Sequence, residues 1–237
     1  MPTLSLDPEA GNLFLIDKPK IWTSFNVVSK VRYALRARLD KKHKVGHAGT
    51  LDPLATGLLL LATGPMTKSI PHLQGLDKEY TGIFRLGQTT PSYDLETAVD
   101  TESPYEHLQD TAILETARAF VGTQMQMPPI FSAVKLDGKR LYKHARAGKE
   151  AKDLDIAARP IEIFAFELGK IELPFVHFRV HCSKGTYIRS LAHDFGQALG
   201  VGAYLLDLRR TRIGMHTLEE AWALPELIAQ IQQKEEK

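Results

Sequence analysis

The chain is organised around Gly46-His47-Ala48-Gly49-Thr50-Leu51-Asp52-Pro53-Leu54-Ala55-Thr56-Gly57, which continues into the apolar run Leu58–Leu61. Glycine permits positive φ and close backbone approach, while proline fixes its own φ and keeps the preceding residue out of the helical region. Asp52 is therefore expected in a tightly specified, non-helical loop that the apolar run anchors. Aspartate beside glycine and proline commonly satisfies backbone N–H groups in a turn, so Asp52 alone predicts no chemistry.

The composition is that of an ordinary soluble globular protein. Of 237 residues, 43% are hydrophobic and 24% are charged, and no apolar run approaches the length of a membrane span. The N-terminus lacks the basic start and apolar core of a secretory signal. The one cysteine, Cys182, excludes an internal disulfide framework and a multi-cysteine metal site. These features favour a reducing, cytoplasmic setting.

The charges are segregated along the chain although the net charge is only +2. Residues 30–44 contain seven basic side chains and one acid, and residues 135–152 contain seven basic side chains and two acids. Residues 86–117 contain seven acids and no lysine or arginine. Such basic blocks suit a polyanion such as nucleic acid, but most charge runs are solvated surfaces, so both interpretations stay open.

Hydrophobic periodicity predicts an α/β chain of the α+β type. Strands joined by turns outnumber strand–helix–strand units, which favours a mixed, largely antiparallel central sheet flanked by helices. No repeat or long linker interrupts the chain, so we expect a single domain over residues 1–237. We expect residues 92–110 to form an exposed acidic loop. The predicted strands are 13–16, 80–86, 130–135, 161–168, 175–182 and 203–208. The predicted helices follow a cap at Thr23 or Ser24, span 66–76, 111–120 and 139–147, follow a Thr186 cap, and span 223–232. The first helix should bury an apolar stripe at Val27, Val31, Leu35 and Leu39, and strand 175–182 should alternate, with Val176, Phe178, Val180 and Cys182 on one face.

Four blocks need a common explanation: Lys18-Pro19, the Asp52 stretch, Tyr80 leading a strand, and Cys182-Ser-Lys-Gly-Thr-Tyr-Ile-Arg189. Together they resemble the tRNA pseudouridine synthases of the TruB type over roughly residues 11–217. The strings FSAVKLDGKRLYKHARAG and GAYLLDLRRTRIG match two further blocks of that family in the same order.

The resemblance implies an isomerase that converts uridine to pseudouridine at position 55 in the TΨC loop of tRNA. The implied fold is the pseudouridine synthase catalytic fold with an active-site cleft. The implied mechanism uses base flipping and an aspartate nucleophile, with no cofactor and no metal. We expect the T arm of tRNA as the partner, no membrane association, and a monomer in the cytoplasm.

The resemblance also assigns three catalytic residues. Asp52 falls on the family's nucleophile, Arg189 on the arginine that pairs with it, and Tyr80 on the active-site tyrosine. An arginine beside the carboxylate would favour its ionised form and fix its direction. A phenol ring can stack on uracil, and its oxygen can take part in moving the C5 proton. Which carbon Asp52 attacks stays open.

Five further residues are expected to bind the substrate or to support the loop. His47 matches the residue that fills the space of the flipped base, and Tyr187 and Leu208 match positions that line the uridine pocket. Lys18 and Pro19 are expected to stabilise the catalytic loop rather than to touch uracil. His43 also lies four residues before His47, but Gly46, Gly49 and the lack of a third ligand argue against a metal pair.

Three further features of the chain are compared with the family pattern. Ile21 stands where the family usually has glycine, so we expect that turn to use ordinary φ. A basic insertion at about 123–155 is expected to close over the RNA, and Arg209, Arg210 and Arg212 to contact phosphate. The chain is expected to lack the C-terminal PUA-type domain that many family members contain.

Two other classes of protein remain as alternatives. A retaining glycoside hydrolase also attacks an anomeric centre with a carboxylate, but it needs a second carboxylic acid close by. Apart from Asp52, the acids considered for this role are Asp17 and Asp194, and neither is distinctively placed. A non-catalytic RNA-binding protein on the same fold would explain the basic blocks but would make no demand on Asp52, Tyr80 and Arg189 together.

Overall fold

The computed structural model describes residues 6–40, 42–136, 138–149 and 153–233. Lys41 of the first basic block, and Asp137 and residues 150–152 of the predicted basic insertion, lie outside the described residues. The chain divides into two compact units. The first unit is Met1–Tyr80 with Arg209–Lys237, and the second unit is Thr81–Leu208.

Strands and helices follow one another in the order expected for an α+β chain. The strands are β1 (Leu13–Lys18), β2 (Val45–Ala48), β3 (Thr56–Thr63), β4 (Lys78–Leu86), β5 (Gln88–Thr89), β6 (Thr101–Glu102), β7 (Gly122–Gln126), β8 (Lys135–Leu136), β9 (Lys139–Arg140), β10 (Arg159–Glu172), β11 (Phe175–Cys182), β12 (Ala203–Ile213), β13 (His216–Thr217) and β14 (Trp222–Ala223). The α-helices are α1 (Ser24–Leu39), α2 (Ile70–Gly75), α3 (Asp110–Ala119), α4 (Leu141–Ala145), α5 (Ile188–Ala198) and α6 (Leu224–Gln232), and the segments Gly64–Ser69 and Leu218–Glu220 are 3₁₀-helices.

In the first unit the hydrogen-bonded strands follow the order β14, β1, β3, β12, with β2 also on β3 and β13 on β12. Strands β1 and β2 both pair with β3 in antiparallel register. Strand β14 pairs with β1, and β12 with β3, in parallel register. The sheet of this unit is therefore mixed.

In the second unit the order is β12, β4, β11, β10, β7, and the β10–β11 and β10–β7 pairs are antiparallel. Two small antiparallel ribbons, β5–β6 and β8–β9, lie apart from that sheet. The observed class confirms the predicted α+β fold with a mixed, largely antiparallel sheet. Within the four described ranges, no helix is long and apolar enough to cross a membrane.

Helix α1 begins where the sequence predicts, because Thr23 caps it. The Thr23 hydroxyl accepts a hydrogen bond from the Asn26 backbone N–H at 3.0 Å, and the Asn26 side chain accepts one from the Thr23 N–H at 2.9 Å. The apolar stripe of α1 is buried at Val27, Val31 and Leu35. That stripe belongs to one hydrophobic core with β1 and α6, which covers one face of β3.

Strand β3 is buried on both faces because two cores share it. Leu59 and Leu61 belong to the core with α1 and α6, whereas Leu58 and Leu60 belong to a second core that contains Leu73 and Ile213. All four leucines are fully buried. Alternate side chains of a strand point to opposite faces, so the uninterrupted apolar run is the pattern of a strand covered on both sides.

The core of the second unit is aromatic. Phe84 on β4 stacks on Phe178 of β11 with ring centroids 4.1 Å apart. Phe166 meets both of these rings edge-on, and Phe195 packs at a tilt against Phe84. The predicted alternation on β11 is confirmed, since its inward face is buried from Val176 to Cys182. Cys182 is a free, buried cysteine.

Two local predictions are wrong in the second unit. Residues 92–110 are not exposed throughout, because Ser92 and Asp94 are 0% and 6% exposed. Residues 130–135 do not form a strand; the ladder there is only Lys135–Leu136, and the chain before it is bent. Both segments supply groups to Arg189, and that requirement overrides the local pattern.

Candidate active site

Asp52 lies in the loop between β2 and β3, as the glycine and proline pattern predicts. The backbone oxygen of Asp52 accepts a hydrogen bond from the Ala55 N–H at 3.1 Å, which closes a turn over Pro53. Gly49 has φ of +89°, a conformation that glycine adopts without steric cost. Asp52 is half-buried, so its carboxylate is held at a surface rather than inside the core.

The residue before Asp52 is held by the start of helix α1. The Ser24 hydroxyl accepts a hydrogen bond from the Leu51 N–H at 2.9 Å and donates one to the Leu51 carbonyl at 3.1 Å. Ser24 is 2% exposed and Leu51 is 4% exposed. Both backbone polar groups of Leu51 are therefore satisfied by one side chain, which fixes the peptide that leads into Asp52.

The loop residues that precede Leu51 are held by Arg210 of β12. This arginine is 1% exposed. Its Nε donates to the Leu58 carbonyl at 2.7 Å, its Nη1 to Thr50 at 3.4 Å and its Nη2 to Gly49 at 3.2 Å. The guanidinium thus joins β3 to the loop ahead of Asp52.

Glycine is required where β3 meets β12. Gly57 has φ of +103°, and a Cβ there would lie 2.3 Å from the Arg210 carbonyl oxygen. The close approach brings the Arg210 backbone against β3, in parallel register with Arg210 opposite Gly57. The expectation that Arg210 contacts phosphate is therefore wrong, because its donors are buried on backbone carbonyls. Arg209 and Arg212 form ion pairs, at 2.7 Å with Asp17 and at 3.0 Å with Asp77.

Lys18 is fully buried at the end of β1. Its Nζ donates to the carbonyls of Pro19 at 2.9 Å, Trp22 at 2.7 Å and Pro53 at 3.4 Å. Burial lowers the pKa of Lys18 from 10.5 to about 8, and the negative charge of Asp52 opposes that shift. Lys18 therefore links the turn after β1 to the loop residue that follows Asp52.

The turn at Ile21 does not use ordinary φ, so that prediction is wrong. Ile21 has φ of +71°, in the left-handed region that a β-branched residue rarely occupies. Its N–H donates to the Pro53 carbonyl at 2.7 Å, and its side chain is 78% exposed. The turn keeps the geometry that a glycine would adopt because its backbone must reach the Asp52 loop.

His47 and Tyr80 both belong to the first unit. His47 lies on β2, and burial lowers its pKa below the ordinary 6.5; the Gly49 backbone opposes this shift and the Arg210 charge adds to it. The ring is therefore neutral at neutral pH, which suits stacking on a base. Tyr80 lies on β4 and is 8% exposed.

Arg189, the second residue of α5, is 4% exposed and held within the second unit by three groups. Its Nε lies 3.6 Å from a carboxylate oxygen of Asp94, its Nη1 donates to the Ser92 carbonyl at 3.3 Å, and its Nη2 donates to the Phe131 carbonyl at 3.0 Å. The other Asp94 oxygen accepts from the Glu96 N–H at 2.9 Å. A buried guanidinium oriented in this way is a fixed positive charge.

Tyr187 and Leu208 also lie in the second unit. Gln126 accepts a hydrogen bond from the Tyr187 N–H at 2.8 Å and donates one to the Tyr187 carbonyl at 3.1 Å. Thr186 does not cap α5, contrary to expectation; its hydroxyl donates to the Ser183 carbonyl and Tyr187 is the N-cap residue. Leu208, on β12, is 7% exposed.

The predicted site residues are divided between the two units. Asp52, His47, Tyr80, Lys18 and Pro19 belong to the first unit, and Arg189, Tyr187 and Leu208 belong to the second unit. The pairing of Arg189 with Asp52 stays a prediction. In the described part of the chain, no group of three or more His, Cys, Asp or Glu side chains is placed to hold a metal ion.

Four supporting roles were not predicted from the sequence, and each concerns a predicted site residue or the Asp52 loop. Ser24, Gln126 and Arg210 satisfy backbone groups, whereas Asp94 pairs with the Arg189 side chain. A serine at the start of a helix was the available signal for Ser24, and Arg210 stands in a matching string although a phosphate contact was expected of it.

Comparison with known proteins identifies one family along most of the chain. The sequence pattern of the TruB family pseudouridylate synthase (N terminal domain) matches residues 36–188, and that of the tRNA pseudouridylate synthase B C-terminal domain matches residues 189–237. The chain is 55% identical over 213 residues to tRNA pseudouridine synthase B of Flavobacterium johnsoniae, covering 89% of this chain and 92% of the relative. It is 51% identical to the enzyme of the same name from Chloroherpeton thalassium, covering 93% and 90%.

Solved structures share the fold at lower identity. A chain in the crystal structure of a Cbf5-Nop10-Gar1 complex superposes with a TM-score of 0.69 at 30% identity, covering 93% of this chain and 54% of that chain. A chain in an H/ACA RNP bound to a substrate RNA containing 2'-deoxyuridine superposes with a TM-score of 0.67 at 28% identity. This chain therefore spans about half the length of those solved chains. On the extent of the sequence match, the chain belongs to the TruB family of pseudouridylate synthases.

Proposed function

We propose that this protein converts uridine to pseudouridine at position 55 in the TΨC loop of tRNA. Relatives about half identical in sequence over nine-tenths of their length are named tRNA pseudouridine synthase B. The structural observation that supports the proposal is the rigid placement of Asp52. Lys18, Ser24 and Arg210, all buried, satisfy the backbone on both sides of this half-buried carboxylate. A non-catalytic RNA-binding protein would not need such a loop.

The isomerisation breaks the bond between N1 of uracil and C1' of the ribose, rotates the base and forms a bond from C5 to C1'. The proton on C5 is lost and N1 gains one, so atoms balance without an added reactant. Asp52 acts as the nucleophile, as a carboxylate that bonds reversibly to base or sugar. Holding the nucleophile in place before the substrate arrives lowers the entropic part of the barrier.

Arg189 orients the Asp52 carboxylate in this proposal and favours its ionised form. The ion pair with Asp94 and the two backbone carbonyls would fix the direction of the guanidinium before RNA binds. Tyr80 stacks on uracil and takes part in moving the C5 proton. Tyr187 and Leu208 line the uridine pocket.

Base flipping costs a few kcal/mol of lost stacking and pairing. His47, neutral and on the strand that leads into the Asp52 loop, takes the place of the flipped base and recovers about 1–3 kcal/mol by stacking. The basic segment at about 123–155 contacts phosphates of the T arm. We further infer a monomer in the cytoplasm, supported by the lone cysteine and the tRNA-modifying relatives.

The test uses an unmodified tRNA transcript. Incubation with the protein, followed by carbodiimide labelling and primer extension, should place one pseudouridine at the TΨC-loop uridine. Asp52→Asn should abolish product, since an amide cannot act as the carboxylate nucleophile. Asp40→Asn is the matched control, because Asp40 is an exposed helix C-cap residue of the first unit with φ of +48°, which asparagine also adopts. Product from Asp52→Asn would overturn the nucleophile, and no product from the unmodified enzyme would overturn the function.

A further inference from the structure

The first unit contains an open groove that the proposed chemistry does not use. The groove has a volume of about 450 Å³ and is lined by Arg32, Lys44, Val45, Gly46, Thr67 and Ile70. Helix α1, strand β2 with the residue before it, and the 3₁₀-helix Gly64–Ser69 with the start of α2 supply these residues. Two of the six lining residues are cationic and none is acidic.

The part of the sequence that supplies the groove residues is strongly basic. Residues 24–76 contain eight lysines and arginines but only two acids, Asp40 and Asp52. Asp52 belongs to the catalytic loop and Asp40 ends α1. Clustered positive charge of this kind attracts a polyanion and raises its local concentration. Two residues of the first basic block, Arg32 and Lys44, therefore line a groove where an anion can be bound.

The two cations differ in how firmly they are placed. Arg32 Nη2 donates to the Val45 carbonyl at 3.2 Å, so the guanidinium is fixed against the wall of the groove. Lys44 is exposed, and its ammonium is a mobile point charge. A fixed arginine beside a mobile lysine suits a phosphate, which accepts hydrogen bonds from several directions.

The remainder of the groove is apolar. Val45 is 8% exposed, and Ile70 lies so close to the strand that a Cβ on Gly46 would be 2.7 Å from its Cδ1 atom. An apolar wall beside two cations matches the alternation of sugar and phosphate along a nucleic-acid strand. An open groove also lets a chain pass through, whereas a small free anion would gain nothing from the apolar wall.

The groove lies on the strand that leads to the catalytic loop. Lys44 immediately precedes β2, and His47 lies three residues further along the chain, a distance of about 10 Å in an extended strand. In the proposed function His47 takes the place of the flipped base. RNA backbone bound at Lys44 would therefore belong to nucleotides close to the target uridine.

We propose that this groove binds one phosphodiester of the RNA substrate near the flipped uridine, with Arg32 and Lys44 on the phosphate and Val45 and Ile70 against the adjoining ribose. The inference rests on the proposed function for the identity of the RNA. It assigns the groove a positioning role in substrate binding and no part in bond making or breaking.

The first test is the salt dependence of RNA binding. Each phosphate contact contributes about 0.7–0.9 to the slope of log K against log salt, so Lys44→Gln should reduce that slope by roughly this amount. KM for the tRNA transcript should rise several-fold with kcat unchanged. Lys44→Arg should restore the wild-type salt slope and the wild-type KM. Lys170→Gln is the matched control, because Lys170 is an exposed lysine of the second unit in a surface ion pair with Glu172. An unchanged slope and KM in Lys44→Gln would overturn the proposal.

The second test locates the phosphate. A series of tRNA substrates with one uncharged methylphosphonate linkage at successive positions near the target is bound by wild type and by Lys44→Gln. One position should weaken binding to the wild type several-fold and weaken binding to Lys44→Gln by a smaller factor, because Arg32 alone then contacts that phosphate. This difference is the coupling that defines the contact. Equal losses in both proteins at every position would overturn the inference. If the wild type forms no pseudouridine, the proposed function fails, but this binding cycle still decides the groove; if product forms without coupling, the groove proposal alone fails.

Discussion

The hydroxyl of Ser24 both accepts a hydrogen bond from the Leu51 N–H and donates one to the Leu51 carbonyl, at 2.9 and 3.1 Å. One side chain at the start of a helix thus completes the hydrogen bonding of the peptide that precedes Asp52. The consequence is that the position of the proposed nucleophile depends on the entry into α1, 28 residues earlier in the chain.

Ser24→Ala should lower both stability and turnover. Two buried backbone groups of Leu51 lose their partner, which costs about 1–3 kcal/mol of unfolding free energy. The value of kcat should fall by a larger factor than KM rises, because the Asp52 carboxylate is less well placed while the RNA contacts persist. Urea unfolding and steady-state kinetics measure the two effects. Ser29→Ala, on the same helix but partly exposed, should change neither, and an equal loss in both variants would contradict the role of Ser24.

Lys18→Met should be destabilising, with a pH signature that identifies its cause. Three carbonyl oxygens lose their donor, so the free energy of unfolding at pH 7 should fall by about 1–3 kcal/mol. Because burial lowers the pKa of Lys18 to about 8 when folded, the unfolded chain binds more protons between pH 8 and 10.5. The stability advantage of wild type over Lys18→Met should therefore grow with rising pH in that window, by at most about 1.4 kcal/mol per pH unit. Denaturant titrations from pH 7 to 10.5 measure this difference, and an advantage that shrinks would contradict the assignment.

Ile21→Gly should stabilise the protein. The left-handed conformation at φ of +71° costs a β-branched residue about 1–2 kcal/mol, and glycine removes that cost. The side chain is 78% exposed, so little burial is lost, and the greater freedom of glycine in the unfolded chain offsets part of the gain. We expect a net increase of about 0.5–1 kcal/mol in thermal or urea unfolding.

Ile21→Val is the control for that substitution, since valine is also β-branched and should leave the stability near that of wild type. A loss of stability in Ile21→Gly, with Ile21→Val unchanged, would mean that the isoleucine side chain itself holds the turn.

Asp94→Asn should reduce turnover through Arg189. The amide keeps the shape of the side chain but removes the negative charge that lies 3.6 Å from the Arg189 Nε. Leaving a buried guanidinium without its counter-ion should cost about 3–5 kcal/mol of stability. We expect kcat to fall at least ten-fold while RNA affinity changes by less than two-fold, as judged by filter binding. Glu96→Gln, two residues along in an exposed ion pair with Arg146, should have almost no effect on either measurement.

Regular periodicity predicted much of the fold. A buried helix face was indicated by the stripe at Val27, Val31 and Leu35, and a buried strand face by the alternation on β11. Both faces are buried in the structure. The prediction was wrong where a distant polar group decides the backbone. Residues 130–135 read as a strand locally, yet Phe131 turns its carbonyl to Arg189. No pattern within residues 130–135 predicts this contact with Arg189.

In the candidate site, too, the sequence predicts some residues, whereas distant contacts decide the placement of others. Asp52, His47 and Arg189 were found because they stand in ordered strings that resemble a family. Arg210 stood in such a string too, but its burial could not be deduced, since arginine is rarely buried and its partners lie about 150 residues away along the chain. Ile21 was misjudged because propensity favours ordinary φ, whereas the hydrogen bond to Pro53 imposes the turn.

The two-sided burial of β3 has a consequence for the motions of the protein. Leu59 and Leu61 pack with α1 and α6, and Leu58 and Leu60 with the opposite core, so β3 cannot separate from the sheet without breaking both. The Asp52 loop runs directly into this strand. Its amide hydrogens next to β3 should therefore exchange with solvent only through unfolding of the whole first unit. Substrate capture would then depend on movement of other segments of the chain, while the Asp52 loop stays in place.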